Sequence, residues 1–462
     1  MSEGSRAAAL SAARRASAPY RTSPWPGRLH VTAHRTPHAE PVLTFLGGAR
    51  YVLATAGTKL LVGCGLFAGP DTVWRRNFSP CPDEVRNADA VVLPSADLGH
   101  AGFLPQLAAE GWHGPVFATP GTAALLPVVL SDAAKQFAED AGQVCPPEPG
   151  VPPFRAEDVT RALALVRPVE FGSLHRFEDT EFEFGRAGGR LGAAWARVRS
   201  GGRSVVFAGP LGAADHPLLH APDPRPRSDV LVLAAPQPPA DGHLAGRFAA
   251  AVHRAVRRGG SVVVPVSVDG GTELLTMLRD LREAGEIPRL PVTLDGETGL
   301  EVHQRAVAER WHELRRDARV SELDLSTGPP DRPSIILAGL ATADSGRVLR
   351  HLAALLPDRR NGVVLLGHPA PDTRAAQLAD GARHLKIHGR YVPVRAEVTP
   401  LGGTGAFAGP AEVLAWATAT PAPETAFVVE GEPEPAHALA KALHAEADWC
   451  AVVPEDGERV LC

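Results

Sequence analysis

The sequence predicts an α/β protein whose main body is split by a second α/β module. Three observations predict this. Short apolar runs punctuated by glycine fill the first half of the chain. A regular strand–helix alternation takes over at about residue 241, and the same alternation returns at the C-terminal end.

Taken in order, Val42–Leu46, Tyr51–Ala54 and Lys59–Val62 read as strands joined by tight turns. Ala90–Leu93 reads as a buried strand, Gly102–Glu110 as a helix, Val116–Ala118 as a strand and Gly121–Asp140 as a longer helix. A proline-rich loop is expected over Cys145–Phe154. A β-rich stretch from Val169 to Ala208 holds strands near Phe182–Phe184, Ala193–Val198 and Ser204–Phe207, and Asp229–Ala234 is a further apolar strand. The module then alternates helix Leu244–Arg258, strand Ser261–Pro265, helix Gly271–Ala284, strand Val292–Leu294, helix Leu300–Asp317, strand Ser334–Ala338, helix Gly346–Leu356 and strand Gly362–Gly367. Pro410–Ala419, Ala426–Val429, Ala436–Ala445 and Trp449–Val453 repeat the rhythm.

The chain has 462 residues, 44% hydrophobic and 21% charged, an ordinary composition for a folded protein. Its formal net charge of −5 excludes a protein devoted to sequence-independent phosphate binding, which needs a basic surplus. Five scattered cysteines form no Cys-x-x-Cys pair, so neither a disulfide framework nor a thiolate zinc site is expected. No apolar run is long enough to span a membrane. Residues 1–37 read as a disordered tail without a secretory signal, which implies a cytoplasmic location.

Several ordered segments resemble the metallo-β-lactamase-fold nucleases of the β-CASP group, which include RNase J-like and cleavage-and-polyadenylation endonuclease-like proteins. The segments are LTFLGGA at 43–49, LVGCGLF at 61–67, RNFSP at 76–80, AVVLPSADLGHAGFLP at 90–105, GPVFATP at 114–120, GGSVVVP at 259–265, PSIILAG at 333–339 and KIHGRYVPVRAE at 386–397. The resemblance implies an αββα sandwich with an inserted α/β β-CASP cap closing over a metal cleft. It divides the chain into the tail, a first sandwich part at 38–240, the cap at 241–370 and a C-terminal sandwich part at 371–462.

The family's chemistry uses two zinc ions bridging a hydroxide, which imidazoles and carboxylates must hold. The main ligand motif, His-x-His-x-Asp-His, here reads Ser95-Ala96-Asp97-Leu98-Gly99-His100, so His100 alone is retained. The family's Asp before Cys-Gly is Gly63, its third-motif histidine is Gly189, its bridging aspartate is Pro210, and the acidic residue of its Glu-Ser-Thr-Tyr-Gly segment is Ala234. Two further histidines are Phe407 and Glu430. The expectation is therefore a catalytically inactive pseudonuclease without metal or other cofactor. It would serve as a non-catalytic partner of a protein, an active β-CASP paralogue or a second copy of itself. One alternative is an RNA- or phospholigand-binding protein using the interdomain cleft, with Arg76, Arg186 and Arg190 as anion ligands. Another is a divergent hydrolase using other residues of the old pocket. Asp215 and His216, with His220 close by, read as a surface loop.

Overall fold

The computed structural model describes residues 40–67, 71–140, 152–237, 242–266, 271–295, 314, 325–326, 333–339, 341–344, 346–367, 369 and 371–462. The expected tail lies outside them, as do most of the proline-rich loop and most of the helix expected over Leu300–Asp317.

The first sheet begins as an antiparallel meander of β1 (Val42–Phe45), β2 (Tyr51–Ala54) and β3 (Lys59–Val62). It continues in parallel through β4 (Ala90–Leu93), β5 (Val116–Ala118) and β6 (Val166–Pro168). The second sheet joins β7 (His175–Phe177), β8 (Thr180–Arg186), β9 (Ala194–Ser200) and β10 (Arg203–Ala208) antiparallel. It then runs parallel through β11 (Val230–Ala234), β20 (Thr425–Val429) and β21 (Ala451–Val452). The last strand, β22 (Arg459–Leu461), returns to pair with β1. Strands buried on both faces read as unbroken apolar runs, which is why Ala-Val-Val-Leu of β4 and Val-Leu-Val-Leu-Ala of β11 stood out.

The two sheets bury a shared interior in which Phe45 meets Phe427 and Tyr51 stacks on Phe207, ring centroids 5.0 and 5.9 Å apart. Each such side chain contributes about 1.5–3 kcal/mol of burial. Helices Leu104–Ala109, Pro120–Asp140 and Ala156–Ala164 cover the outer face of the first sheet. Pro410–Thr418 and Pro433–Ala447 cover the outer face of the second. The result is four layers, αββα.

The inserted module is a separate parallel sheet, ordered β14 (Leu325–Ser326), β13 (Val292–Asp295), β15 (Ile335–Ala338), β12 (Val262–Pro265), β16 (Gly362–Leu366) and β19 (Glu397–Leu401). Its last strand lies beyond the boundary expected at residue 370. Helix Leu244–Arg257 presents Leu244, Phe248, Ala251, Val252 and Ala255 to one face, an i, i+4, i+7, i+8, i+11 stripe. Helices Arg347–Leu355 and Arg374–Ala379, with the hairpin β17 (His384–Ile387) and β18 (Arg390–Pro393), cover the other.

Among the described residues, the contacts that tie module to body include the backbone bridge Leu219–Leu314 and two side-chain pairs. Arg347 Nη1 lies 3.0 Å from Asp132 Oδ1, and His216 Nε2 lies 3.5 Å from Glu273 Oε1. His216 is fully buried, which corrects its reading as part of a surface loop. Its Nδ1 accepts the backbone N–H groups of Leu218 and Leu219, both at 3.0 Å. The helix expected over Gly102–Glu110 is found as Leu104–Ala109, and a short helix not expected from the sequence, Leu98–Ala101, precedes it and carries the site described next. Among the described residues, no helix is long and apolar enough to cross a membrane.

Candidate functional site

The buried strand β4 delivers Ser95 to its C-terminal end, and the chain turns at once into the short helix Leu98–Ala101. Asp97 precedes that helix in extended backbone, with φ −65° and ψ 157°. Asp97 and His100 are thus three residues apart across one turn, where side chains share a face. His100 Nδ1 sits 3.0 Å from both Asp97 carboxylate oxygens.

Glu430 comes from the far end of the sequence. It follows β20 in left-handed backbone, φ 53°, with Gly431 next at φ 98°, and this sharp turn aims its carboxylate back across the sandwich. Tyr51 donates its hydroxyl to Glu430 Oε1 at 2.7 Å. Glu430 Oε2 lies 3.1 Å from His100 Nε2, an ion-pair contact set off the line of a straight hydrogen bond. Arg190, from the β8–β9 loop, approaches Asp97 Oδ2 at 3.4 Å and lies over the Phe407 ring at 4.8 Å.

The charges follow from this geometry. Burial opposes protonation of His100, but the carboxylates of Asp97 and Glu430 overcome it and raise its pKa to about 10. Burial likewise opposes ionisation of Asp97, but His100, Arg190 and a hydrogen bond from Ser95 hold its carboxyl well below the usual carboxylate range. Burial first, and then Glu430, push the Tyr51 hydroxyl well above its ordinary value. The group is two carboxylates, one imidazolium and one guanidinium, formally neutral and closed on itself.

These residues do not fit a two-zinc centre. Asp97 and Glu430 occupy opposite nitrogens of the His100 ring, so they do not converge with it on one ion. Among the described residues, no three His, Cys, Asp or Glu side chains are placed to hold a metal. The space for lost ligands is also filled. A Cβ added at Gly189 would meet the Phe407 ring at 2.7 Å, so Phe407 occupies the room a histidine at 189 would need. Gly63 has φ +70°, and a Cβ there would lie 2.0 Å from the Ala49 carbonyl oxygen, which excludes an aspartate on this backbone. A Cβ added at Gly99 would meet Asp97 Oδ1 at 3.0 Å.

Ser95, Asp97, His100, Arg190 and Pro210 line one recess. A neighbouring narrow recess, with room for about 20 Å³, lies between Asp97 and Arg190 of the body and Glu273 and Leu314 of the module. The other two arginines are elsewhere. Arg186 pairs with Asp223 at 3.3 Å and lies over Phe171, while Arg76 pairs with Asp456 at 2.8 Å and lies over Phe67. Sequence reasoning missed Tyr51, which sits in an apolar strand and carried no signal of a polar role.

A model of the Beta-Casp domain matches residues 272–378. The chain is 31% identical over 420 residues to "Ribonuclease TTHA0252" of Thermus thermophilus, covering 86% of this chain and 93% of that protein. The chain belongs to the β-CASP group of metallo-β-lactamase-fold proteins. Other members of the group resemble it more loosely. The "RNase J-like protein" of Methanocaldococcus jannaschii is 22% identical over 85% of this chain and 92% of its own length. The "Transcription termination factor FttA" of the same organism is 24% identical over 84% of this chain and 67% of its own. The β-CASP match accounts for the inserted module, and the four-layer body is the metallo-β-lactamase sandwich. These relatives also correct the functional expectation. A silent, non-catalytic partner subunit was inferred from ligand loss alone, whereas the proteins this chain matches over most of its length are named for ribonuclease and transcription-termination functions.

Proposed function

We propose that this β-CASP protein works in RNA processing, with single-stranded RNA as its substrate class. The observation that carries the reading is the 31% identity to a protein named as a ribonuclease, sustained over 86% of the chain and so across both body and module. The narrow recess lined by Asp97, Arg190, Glu273 and Leu314 is bordered by both parts of the fold, so body and module meet at the family's site.

The chain's own groups set what the cleft floor does. His100 holds its proton between two carboxylates, and Arg190 is engaged by Asp97 and Phe407. The floor is a rigid, formally neutral surface. Phosphate therefore gains no net Coulomb attraction there, and RNA affinity has to come from cationic and aromatic groups outside the recess. No step is assigned to zinc, since the residues do not fit it.

The test is titration of the full chain with a fluorescein-labelled single-stranded RNA, with and without chelator, with cleavage read on denaturing gels from the same samples. Saturable binding that the chelator leaves unchanged is expected, together with less than one equivalent of zinc by mass spectrometry of protein purified without chelator. Absence of RNA binding sinks the RNA reading. Two equivalents of zinc sink the metal-free reading of the floor.

A further inference from the structure

The hairpin β17–β18 is unlike the rest of the surface. Residues 381–396, GARHLKIHGRYVPVRA, contain Arg383, Lys386, Arg390 and Arg395 and no Asp or Glu, a formal +4 in a chain of net −5. Lys386 is one of only four lysines. Several arginines elsewhere are engaged by carboxylates, as in Arg203–Glu424, Arg254–Glu397 and Arg360–Asp358. Among the described residues, no carboxylate lies within 4.0 Å of the charged groups of Arg383, Lys386, Arg390 or Arg395.

The hairpin is also a rigid presentation. Its two-residue turn is His388–Gly389, at φ 48° and 75°, flanked by the pair Ile387 and Arg390. Two successive positive φ values give the turn whose twist matches paired strands, which fixes the register. Leu385 and Ile387 face inward and are buried against the module's core. The alternation then turns His384 and Lys386 outward. Directly across from Lys386 stands Tyr391, 73% exposed, the most exposed of the large hydrophobic side chains described. An aromatic ring held in solvent beside a lysine, on a strand whose inner face is anchored, is a stacking surface with a cation at its edge.

We propose that this hairpin is a contact site for single-stranded RNA, in which a base stacks on Tyr391 and the adjoining phosphate meets Lys386, which stands directly across from it on the same face. The inference rests on the RNA reading above. An unpaired base offers a flat face to any aromatic ring, and the phosphate chain is complementary to a patch without carboxylates. A cation run alone is ordinarily a solvated face, and the exposed tyrosine directly across from Lys386 is what singles this one out. The neutral floor of the cleft adds to the argument, because it leaves RNA affinity to be supplied elsewhere.

The experiment uses the full chain and a fluorescein-labelled oligouridylate, read by anisotropy across a salt series, with folding of each variant checked by circular dichroism. Tyr391→Ala is expected to weaken binding about 5- to 150-fold, while Tyr391→Phe, which keeps the ring, stays within about threefold of the parent. Lys386→Glu is expected to lower the slope of log Kd against log salt by about 0.7, one single-strand phosphate contact. If the parent binds RNA and all three variants bind it equally, the hairpin proposal fails and the RNA reading stands. If the parent binds no RNA, both fail. If the variants lose only affinity for polyglutamate, the surface serves an acidic protein partner and the proposal is overturned.

Discussion

Replacing His100 by glutamine removes the one buried cation that both Asp97 and Glu430 face, and the structure sets the size of the effect. Imidazole titrates near 6.5 in an unfolded chain and at about 10 in this site. The folded protein therefore binds this proton more tightly than the unfolded chain does. The resulting stability is fully present below the unfolded pKa and is lost as pH rises through the folded one. A displacement of about 3.5 units at about 1.36 kcal/mol each gives a ceiling of about 5 kcal/mol. Losing one partner of a buried ion pair costs about 3–5 kcal/mol, in agreement. The thiols of Cys64, Cys81 and Cys462, pushed up by burial to about 12, 11 and 11, lose stability in the same direction at alkaline pH. The measurement must therefore be a difference between parent and His100→Gln. Urea unfolding from about pH 6 to about pH 10 should show the parent losing about 3–5 kcal/mol more than the variant. Parallel curves for the two proteins would refute an imidazolium in the folded state.

Two further outcomes follow from packing and capping. Gly189→His drives a Cβ to 2.7 Å from the Phe407 ring and should cost about 1–3 kcal/mol of unfolding free energy. Adding Phe407→Ala should recover part of that loss, so a double-mutant cycle with additive costs would show that the two positions do not share the space. Arg225 is buried and donates to the carbonyls of Ala417, Thr420 and Pro421 at 2.8, 2.8 and 2.6 Å, with its guanidinium 5.4 Å from the Trp449 ring. Arg225→Ala strands three acceptors at the C-terminal end of helix Pro410–Thr418 and should lower stability by about 3 kcal/mol or more. A change in melting temperature under about 2 °C would contradict that role.

The strands that position the site were legible because burial on both faces leaves an unbroken apolar run, as in β4, β11 and β12. The return of β19 to the module's sheet was not. Glu-Val-Thr-Pro-Leu is only partly buried at that edge and lacks such a run. Within the site, the loop Ser95–His100 could be located from its neighbours in sequence, but its partners could not. Glu430 and Tyr51 are 379 residues apart and meet only because β20 and β2 lie in facing sheets. The same distance effect misled the arginine reading. Asp223 and Asp456 lie far along the chain from Arg186 and Arg76, so nothing local announced that those cations were already engaged. His216 read as exposed because Asp215 and Pro217 flank it, while its burial depends on two backbone donors and a module glutamate.

The substitutions around His100 make physical sense as a set. A recess shaped for two dications that holds carboxylates at Asp97 and Glu430, where the family motifs have histidines, and lacks the metals would bury two like charges with nothing to offset them, an arrangement that costs several kcal/mol per ion. Here each carboxylate faces a cation supplied by the chain, His100 for both and Arg190 for Asp97. Arg190 is in turn held in place by Phe407, whose ring fills the room above Gly189. The charge balance and the packing are therefore coupled through one side chain. Restoring a single histidine at 189 collides with Phe407, and removing Phe407 frees Arg190 from its ring. A metal-binding arrangement would require simultaneous change at Ser95, Gly189, Pro210 and Phe407, and at Gly63 a different backbone as well. That mutual dependence keeps the neutral network in place against any one reversion.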